Sequence, residues 1–521
     1  LNERENFFHK PLVNMNHFFR INDKMRLSTV AYWSGGSGGG TGTYGSSFRN
    51  PAVEGEKWYA SSPWTWNWDG AIAANSSNVD TDYDPTKNRS KGILRNSINR
   101  QDTYGVISKL NFDVNSSLKT QVGIDWRTAS IEHAREVRDL LGGDYFVYSG
   151  NKNDNTSASQ MKGLGDIIAY HNNTTVDWLG YYAQGNYVSG PINAYGMIGL
   201  SSISYTYQDM FTTAKEVVKA DAISTMQIKG GLMYDLSDNI SVFGNYGIVE
   251  KPPILDNVIY YDGTVASKPV NETFNSMEFG LNFNSPKYAV KANYYNTQWK
   301  DRNLTKSVTT GQGSSGDTDV IFLTGVDQSH TGIEIEGSAQ VIDMLRLDFA
   351  ASFGTWKFAD DASGIYTDYS EETTTQTQYS YALKDLWVGD MPQTGLVVGA
   401  TATPLPGLSI QGVMNYYDKN YADWSPGDRE IEGGTADRDQ VWMAPGYSKI
   451  DLHAYYNLPM QVAGTNIQLF AHVFNLTDAL FIQDATDNSQ YNSFDKDHDA
   501  DSAEIFFGTP RYVNMGLSVR F

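Results

Sequence analysis

The stretch MLRLDFAASFGTW, residues 344–356, alternates between apolar side chains and polar or small ones. Leu345, Leu347 and Phe349 share one face, while Arg346 and Asp348 lie on the other. This period of two is typical of a β-strand that has one oily and one wet face. A soluble sandwich produces the same alternation, so the stretch predicts a strand without deciding what surrounds it.

The same alternation recurs along the whole chain and predicts about seventeen strands. They cover residues 11–20, 25–33, 103–114, 118–128, 173–188, 191–206, 222–236, 239–248, 272–285, 286–300, 328–341, 344–357, 391–403, 408–421, 446–457, 464–475 and 511–521. The predicted fold class is all-β.

The connections between these strands alternate in length. Short turns at 22–24, 115–117, 189–191, 237–238, 285–286, 342–343, 404–407 and 459–464 take turns with long polar loops at 34–102, 129–172, 207–221, 249–271, 301–327, 358–390, 422–445 and 476–510. Loops of this length are uncommon in a compact soluble domain. Short turns on one rim and long loops on the other predict a transmembrane antiparallel β-barrel.

Aromatic residues cluster near the strand ends. In a membrane barrel such residues form girdles at the two lipid–water interfaces, and the alternative is the aromatic core of a sandwich. The predicted girdle residues are Tyr32, Trp33, Trp126, Tyr205, Tyr207, Tyr294, Tyr295, Trp299, Tyr416 and Tyr417.

The composition excludes several functional classes. The 521 residues contain no cysteine, which removes disulfides, cysteine metal sites and thiol catalysis. The formal net charge of −21 argues against nucleic acid as a partner. No stretch is apolar enough for a spanning helix, and residues 1–19 show no signal peptide, so an exported protein would be mature or given in part.

The last strand ends in an aromatic residue. Val513, Met515, Leu517, Val519 and Phe521 share one face, and such an ending resembles the insertion signal of bacterial outer-membrane proteins. Upstream lie the sequences NLTD at 475–478 and GTPR at 508–511, and a glycine-rich run covers 35–42. Together these motifs resemble TonB-dependent outer-membrane receptors.

The resemblance implies a barrel of about 22 strands whose lumen is filled by an N-terminal plug. Residues 1–521 would then be the barrel domain without its first strands and plug. It further implies active import of a scarce nutrient, powered by the TonB–ExbB–ExbD complex through the missing part. The expected surroundings are outer-membrane lipid and lipopolysaccharide, with a surface lipoprotein as a further partner.

The leading expected substrate is a ferric siderophore or another metal chelate. The alternatives are a passive substrate-selective porin, an importer of an oligosaccharide or vitamin, and an outer-membrane hydrolase with its site at the rim. His453 and His472, on neighbouring predicted strands, are the candidates for such a hydrolase, although polar residues facing a barrel lumen are the preferred interpretation. No phosphate-binding loop and no hydrolase motif is present, so the chain is not expected to be an enzyme.

Two predicted loops carry candidate solute-binding residues. Rings in loop 34–102 can stack on a planar solute or pack on one another over the barrel mouth, namely Tyr44, Trp58, Tyr59, Trp64, Trp66 and Trp68. His133, Arg135 and Arg138 in loop 129–172 form a basic patch that can attract an anionic solute or lipopolysaccharide phosphates.

One segment is strongly acidic. Asp495, Asp497, Asp499 and Asp501 alternate, and oxygen ligands of this kind suit a structural Ca²⁺. The spacing fails the EF-hand pattern because the expected glycine and the final glutamate are absent. A solvated acidic loop is therefore preferred, and no other cofactor is expected.

Overall fold

The computed structural model describes residues 4–46, 67–154, 156–211, 216–260, 263–308, 319–368, 375–459, 464–489 and 495–520. Candidate residues Trp58, Tyr59, Trp64, Trp66 and Phe521 lie outside these ranges.

The first half of the chain contains the following elements: β1 Asn6–His9, β2 Leu12–Arg20, β3 Met25–Gly45, α1 Trp68–Ser76, β4 Val79–Asp80, β5 Asp84–Ser90, β6 Gly92–Asp113, β7 Leu118–Asp139, β8 Tyr145–Val147, α2 Ser157–Gln160, β9 Met161–Lys162, β10 Ile167–Ser189, β11 Ile192–Asp209, β12 Val218–Lys219, β13 Ile223–Asp235, β14 Ile240–Lys251 and a short 3₁₀ helix Leu255–Asn257.

The second half contains β15 Glu272–Asn284, β16 Tyr288–Val308, β17 Asp319–Ile342, β18 Leu345–Phe358, β19 Ala362–Asp368, β20 Thr375–Tyr381, β21 Thr394–Leu405, β22 Leu408–Asp418, β23 Asn420–Tyr421, α3 Pro426–Arg429, β24 Met443–Ala444, β25 Tyr447–Asn457, β26 Asn466–Phe474, β27 Ile482–Thr486, β28 Glu504–Phe507 and β29 Tyr512–Arg520.

One antiparallel sheet of 21 strands organises the molecule. Seventeen of them follow one another as neighbours, in the order β2, β3, β6, β7, β10, β11, β13, β14, β15, β16, β17, β18, β21, β22, β25, β26 and β29. Each matches one predicted segment, which confirms the all-β prediction. Within the described ranges no ladder joins β2 to β29, so the sheet is open between them.

The strand connections form two unlike rims. The connections at 21–24, 114–117, 190–191, 236–239, 285–287, 343–344 and 406–407 are tight, and we call their side the turn rim. The opposite side, the loop rim, carries the long connections, including those at 140–166, 252–271, 419–446 and 475–511. The alternation predicted from the sequence is therefore present.

Several strands are longer at the loop rim than predicted. The predicted loop 34–102 begins and ends with strand, because β3 continues to Gly45 and β6 starts at Gly92. Likewise β7 continues to Asp139, and β17 reaches 24 residues. A tilted strand needs about 9–11 residues to cross a membrane, so these strands project well beyond that thickness.

The glycine-rich run of β3 is clamped between two strands. Gly39 pairs with Phe7 of β1 on one edge and with Ile98 of β6 on the other. A Cβ atom on Gly39 would lie 2.2 Å from the Ser97 carbonyl oxygen, so the backbone approach requires glycine. This run is strand, although it falls within the predicted loop 34–102.

The alternation separates an apolar outer face from a polar inner face. On β29 the side chains of Val513, Met515, Leu517 and Val519 are all exposed on the outer face, as the sequence predicted. The inner face carries ion pairs such as Lys291–Glu336 at 3.5 Å and Arg346–Asp348 at 2.6 Å, which line a groove of about 910 Å³. A polar lumen wall and an apolar outside are typical of a membrane barrel.

The predicted aromatic girdle is only partly correct. Register places Trp33, Trp126, Tyr294 and Tyr416 on the outer face, as a girdle requires. The remaining residues face inward with the polar side chains: Tyr32, Tyr205, Tyr207, Tyr295, Trp299 and Tyr417. Tyr205, for example, donates its hydroxyl to the Pro253 carbonyl at 3.0 Å inside the loop rim.

Small cores hold the long connections to the strands. Val258 and Ile259 of connection 252–271 are buried against Ile203 and Tyr207 on the inner face of β11. Further round the sheet, Trp424 and Tyr381 pack with residues of β17 and β18. No helix in the described part of the chain is long and apolar enough to cross a membrane.

Neighbouring valines of β21 provide a test of the two faces. Val398 is 56% exposed on the outer face, whereas Val397 lines the inner groove. We expect Val398→Arg to destabilise the membrane-inserted protein by about 2–4 kcal/mol, since an arginine near the midplane is costly in lipid. Val397→Arg, the matched control, should be tolerated. Equilibrium unfolding in lipid vesicles measures both, and equal losses would contradict the assignment of faces.

Candidate functional site

A buried carboxylate fixes a tryptophan on the inner face near the loop rim. The Trp299 indole N–H donates to Glu272 Oε2 at 3.0 Å, and Lys251 Nζ lies 3.0 Å from Glu272 Oε1. The Asn303 amide group donates to the same Oε1 at 3.3 Å. Glu272 is fully buried, so these donors supply the compensation that a buried charge needs. Trp299 is thereby held in one orientation.

Phe274, Trp299 and Trp356 form what we call the aromatic wall, which crosses strands β15 to β18 on the inner face. Phe274 and Trp299 are direct cross-strand partners with ring centroids 4.6 Å apart. Trp356 donates its indole N–H to the Tyr295 hydroxyl at 2.9 Å. The Arg302 guanidinium lies 4.3 Å from the Trp299 ring centroid. The wall thus offers half-buried rings beside a cation.

Arg135 forms a second cationic position on the inner face, on β7. Its guanidinium carbon lies 5.3 Å from the Tyr44 ring centroid and 5.0 Å from that of Tyr170. The Arg135 Nε is buried and has no hydrogen-bond partner among the residues that the structure describes. An arginine that is held by rings, with an N–H still available, suits recognition of an anion.

Of the other predicted basic residues, His133 shares the inner face with Arg135 and Arg138 does not. All three were expected in a loop, but they lie on strand β7. His133 faces inward near Asp256, whose pKa is raised by burial and lowered in part by His133. Arg138 pairs instead with Glu5 at 2.9 Å. The structure therefore brings together Tyr44 and Arg135 and separates them from Arg138.

Trp68 is the one other ring of the predicted loop set within the described residues. It begins helix α1, whose first turn is capped by Asn67 accepting from the Gly70 amide at 2.9 Å. Trp68 packs against the buried Leu94 and Leu141. Trp68 is thus part of a small core at the loop rim, and its role in solute binding stays a prediction.

A buried ionic cluster, which we call the loop latch, joins two long connections and was missed in the sequence. Arg429, Asp437, Asp487 and His498 compose it. His498 Nδ1 lies 2.6 Å from Asp487 Oδ2, and its Nε2 lies 2.8 Å from Asp437 Oδ2. Arg429, fully buried, donates to the Asp439 carbonyl at 2.7 Å and lies 3.4 Å from Asp487. The latch holds connection 475–511 against connection 419–446.

The electrostatics of the latch favour a charged His498. Burial alone lowers its pKa, but the hydrogen bonds to Asp437 and Asp487 outweigh burial and raise it. For Asp437, burial raises the pKa, yet the bond to His498 helps to bring it below its usual value. The imidazolium and its carboxylates therefore stabilise one another.

The acidic run around residue 499 is arranged as a turn. Asp499 Oδ1 accepts the Asp501 amide at 2.7 Å and the Ser502 amide at 3.2 Å. Within the described residues, no group of three or more carboxylate or histidine side chains is placed to hold a metal ion. Calcium binding by Asp495, Asp497, Asp499 and Asp501 stays a prediction.

His453 and His472, the candidates for a rim hydrolase, are direct cross-strand partners on the inner face of β25 and β26. Their Nδ1 atoms lie 3.0 Å apart. In the described part of the chain, neither imidazole hydrogen-bonds to a serine or carboxylate side chain. A catalytic histidine needs such a partner for nucleophilic catalysis, and this pair lacks one.

Two features of the site differ from what the sequence predicted, namely the inward orientation of Trp299 and the loop latch. Trp299 is an odd number of positions from the outward Tyr294 on the same strand, so counting the period of two assigns it to the inner face. The loop latch brings together residues that are far apart in sequence, and no local sequence pattern predicts it.

The raised pKa of His498 predicts a pH dependence of the loop latch. Its stabilisation is fully present below the unfolded pKa of about 6.5 and is lost as pH rises through the higher folded value. We expect amide exchange in residues 419–446 and 475–489 to accelerate with pH beyond the intrinsic chemical trend. His498→Gln should remove this excess, while the exposed His9→Gln should keep it. An excess that survives in His498→Gln would contradict the assignment.

Comparison with known proteins identifies the fold. No curated protein matches the chain significantly. The ferric citrate transporter FecA, in its unliganded form, superimposes with a TM-score of 0.60 at 10% identity, covering 99% of this chain and 62% of FecA. The copper transporter OprC gives a TM-score of 0.61 at 14% identity, covering 99% of this chain and 65% of OprC.

The ferric-catecholate import receptor Fiu from E. coli, in its closed form, gives a TM-score of 0.58 at 13% identity, covering 100% of this chain and 65% of Fiu. The chain thus spans less than two thirds of the length of these structures. The TonB-dependent receptor-like β-barrel family matches residues 11–476. The chain belongs to the TonB-dependent receptor β-barrel family.

Proposed function

We propose that this chain is the barrel of an outer-membrane importer that takes up an anionic metal chelate, such as a ferric siderophore, with energy from the TonB–ExbB–ExbD complex. Barrels of this family are outer-membrane proteins. The observation that carries the substrate class is the inner surface near the loop rim, where Arg302 lies beside Trp299 and Arg135 lies between Tyr44 and Tyr170.

The chemistry of that surface suits a chelate with aromatic or carboxylate arms. Rings of tryptophan and tyrosine stack on planar groups, and arginine pairs with carboxylate or phenolate oxygens. The chain as a whole carries a net charge of −21, so inward-facing cations at the mouth counteract the repulsion of an anionic solute. FecA is named as a ferric citrate transporter and Fiu as a ferric-catecholate import receptor, which agrees with this class.

We infer active transport from the size of pore that the family resemblance implies. A lumen of about 22 strands left open would be a wide aqueous hole, so a plug has to close it and work has to open it. The work would come through the plug and TonB-contacting segment that the family resemblance implies. Outer-membrane lipid, lipopolysaccharide and a surface lipoprotein remain proposed partners of the same assembly.

The test is uptake of radioactive iron, presented as ferric citrate or a ferric catecholate, by cells with and without the gene for the full-length protein. We expect uptake that depends on the gene and stops when a protonophore collapses the inner-membrane gradient. Uptake that persists with the protonophore would support a passive porin. If gene-dependent uptake is seen only for an oligosaccharide or vitamin, the chelate assignment is wrong while import stands.

Trp299→Leu tests the aromatic wall, and Trp126→Leu is its matched control on the outer face. Stacking and cation–π contacts are each worth about 1 kcal/mol, so losing both should raise the half-saturating chelate concentration about thirtyfold. Trp126→Leu should leave it unchanged at equal surface expression. Identical uptake curves for both variants would place the binding surface elsewhere.

A further inference from the structure

Two histidines face each other on the inner wall, away from the aromatic wall and the loop latch. We propose that His453 and His472 form a binding site for a borderline divalent metal ion, of the Cu²⁺, Ni²⁺ or Zn²⁺ class. The two residues are register partners on β25 and β26, with ring centroids 5.1 Å apart and Nδ1 atoms 3.0 Å apart. Imidazole nitrogen is a preferred ligand of these ions.

The separation of the two nitrogens matches joint coordination. Metal–nitrogen bonds of about 2.0–2.1 Å place two ligands about 3.4 Å apart in a tetrahedral site and about 2.9 Å apart in adjacent square-planar positions. The observed 3.0 Å lies between these values. An ion can therefore enter by a small rotation of the rings, without a change in the strands.

The proton balance of binding is simple. In the neutral pair one Nδ1–H donates to the other Nδ1, so one ring carries its proton at Nδ1 and the other at Nε2. When the metal takes both Nδ1 lone pairs, the first ring moves its proton to Nε2. No net proton leaves the pair, and binding competes only with one hydrogen bond, which is worth about 1 kcal/mol net.

Aromatic rings pack around the two imidazoles, and amide side chains lie on the neighbouring strands. The rings of Phe474 and Tyr455 lie 5.4 Å from His453 and 5.3 Å from His472, respectively. On the next strand to either side, Gln411 of β22 is the register partner of His453, and Asn514 of β29 is that of His472. Both lie on the same inner face. Their carbonyl oxygens or water would complete the coordination shell.

Asp451, on the same face two residues before His453, is already bound by other groups. Its Oδ1 accepts a hydrogen bond from the backbone N–H of Asn475 at 2.8 Å, and its Oδ2 lies 3.4 Å from Lys449 Nζ. Since Asp451 is held by the Asn475 backbone amide and by Lys449, it is not a third ligand of the ion. A site with two protein ligands keeps open positions, so the wall can hold a metal ion that also binds an external donor.

The test uses the full-length protein in detergent, without a polyhistidine tag, titrated with Cu²⁺. Electron paramagnetic resonance should show nitrogen hyperfine structure from two imidazoles at one ion per chain. His453→Gln and His472→Gln should each weaken binding by a factor on the order of ten and leave one nitrogen. The exposed His9→Gln is the control and should leave the isotherm unchanged. Binding that is equal in wild type and both site variants would overturn the proposal.

A second measurement needs no substitution and so does not depend on variant folding. Diethyl pyrocarbonate modifies free imidazoles, and mass spectrometry locates the adducts. Zn²⁺ should protect His453 and His472 but not His9. Equal modification of His453 and His472 with and without Zn²⁺ would also refute the site. Neither readout involves uptake, so this site and the proposed function fail or stand independently.

Discussion

Backbone hydrogen bonding between neighbouring antiparallel strands is the constraint on which the rest of the structure depends. In lipid no water is available to satisfy a free amide, so long uninterrupted ladders are required. Each ladder also fixes register, and a slip by one residue would exchange the two faces of a strand. The separation of Val513 and Met515 from Asn514, and the meeting of Phe274 with Trp299, both follow from that one geometrical condition.

The loop rim is held by different forces. There the connections leave the sheet, and local clusters replace the ladder as the source of order. Val258 and Ile259 bury apolar surface against β11, whereas Arg429 and His498 use charge in a water-poor setting. Removing one partner from such a buried cluster would leave the others uncompensated. The mouth of the barrel is therefore built from separate units, each attached to the wall by its own contacts.

Sequence patterns predicted the seventeen strands that follow one another in the sheet, and their order, because alternation is strong where one face is apolar. They predicted strands that are too short at the loop rim. Beyond the membrane both faces are polar or small, so the alternation of apolar and polar residues fades. The region from His133 to Asp139 is an example, because it is strand although its composition resembles a loop. The substrate-binding role of the candidate residues stays a prediction, with Arg135 and Tyr44 the pair that the fold brings together.

Other contacts needed the three-dimensional structure. His453 and His472 meet only because the ladder between β25 and β26 makes them register partners, and spacing alone leaves that register undetermined. Aromatic content at a strand end predicts that Trp299 belongs to the outer girdle, which is wrong, because its pairing with Phe274 places it on the inner face. The loop latch arises from tertiary contacts between connections, for which a single sequence carries no signal.

The glycines of β3 pair with a strand on each side, and replacing them is expected to have the opposite effect to most glycine replacements. Replacing glycine by alanine commonly stabilises a protein, because it restricts the unfolded chain. At Gly39 the added methyl group would collide with a carbonyl oxygen of the adjacent strand, and the ladder would have to spread. The glycine-rich run, whose composition suggests flexibility, is thus a rigid strand of the sheet. Its lack of side chains lets three strands pair this closely.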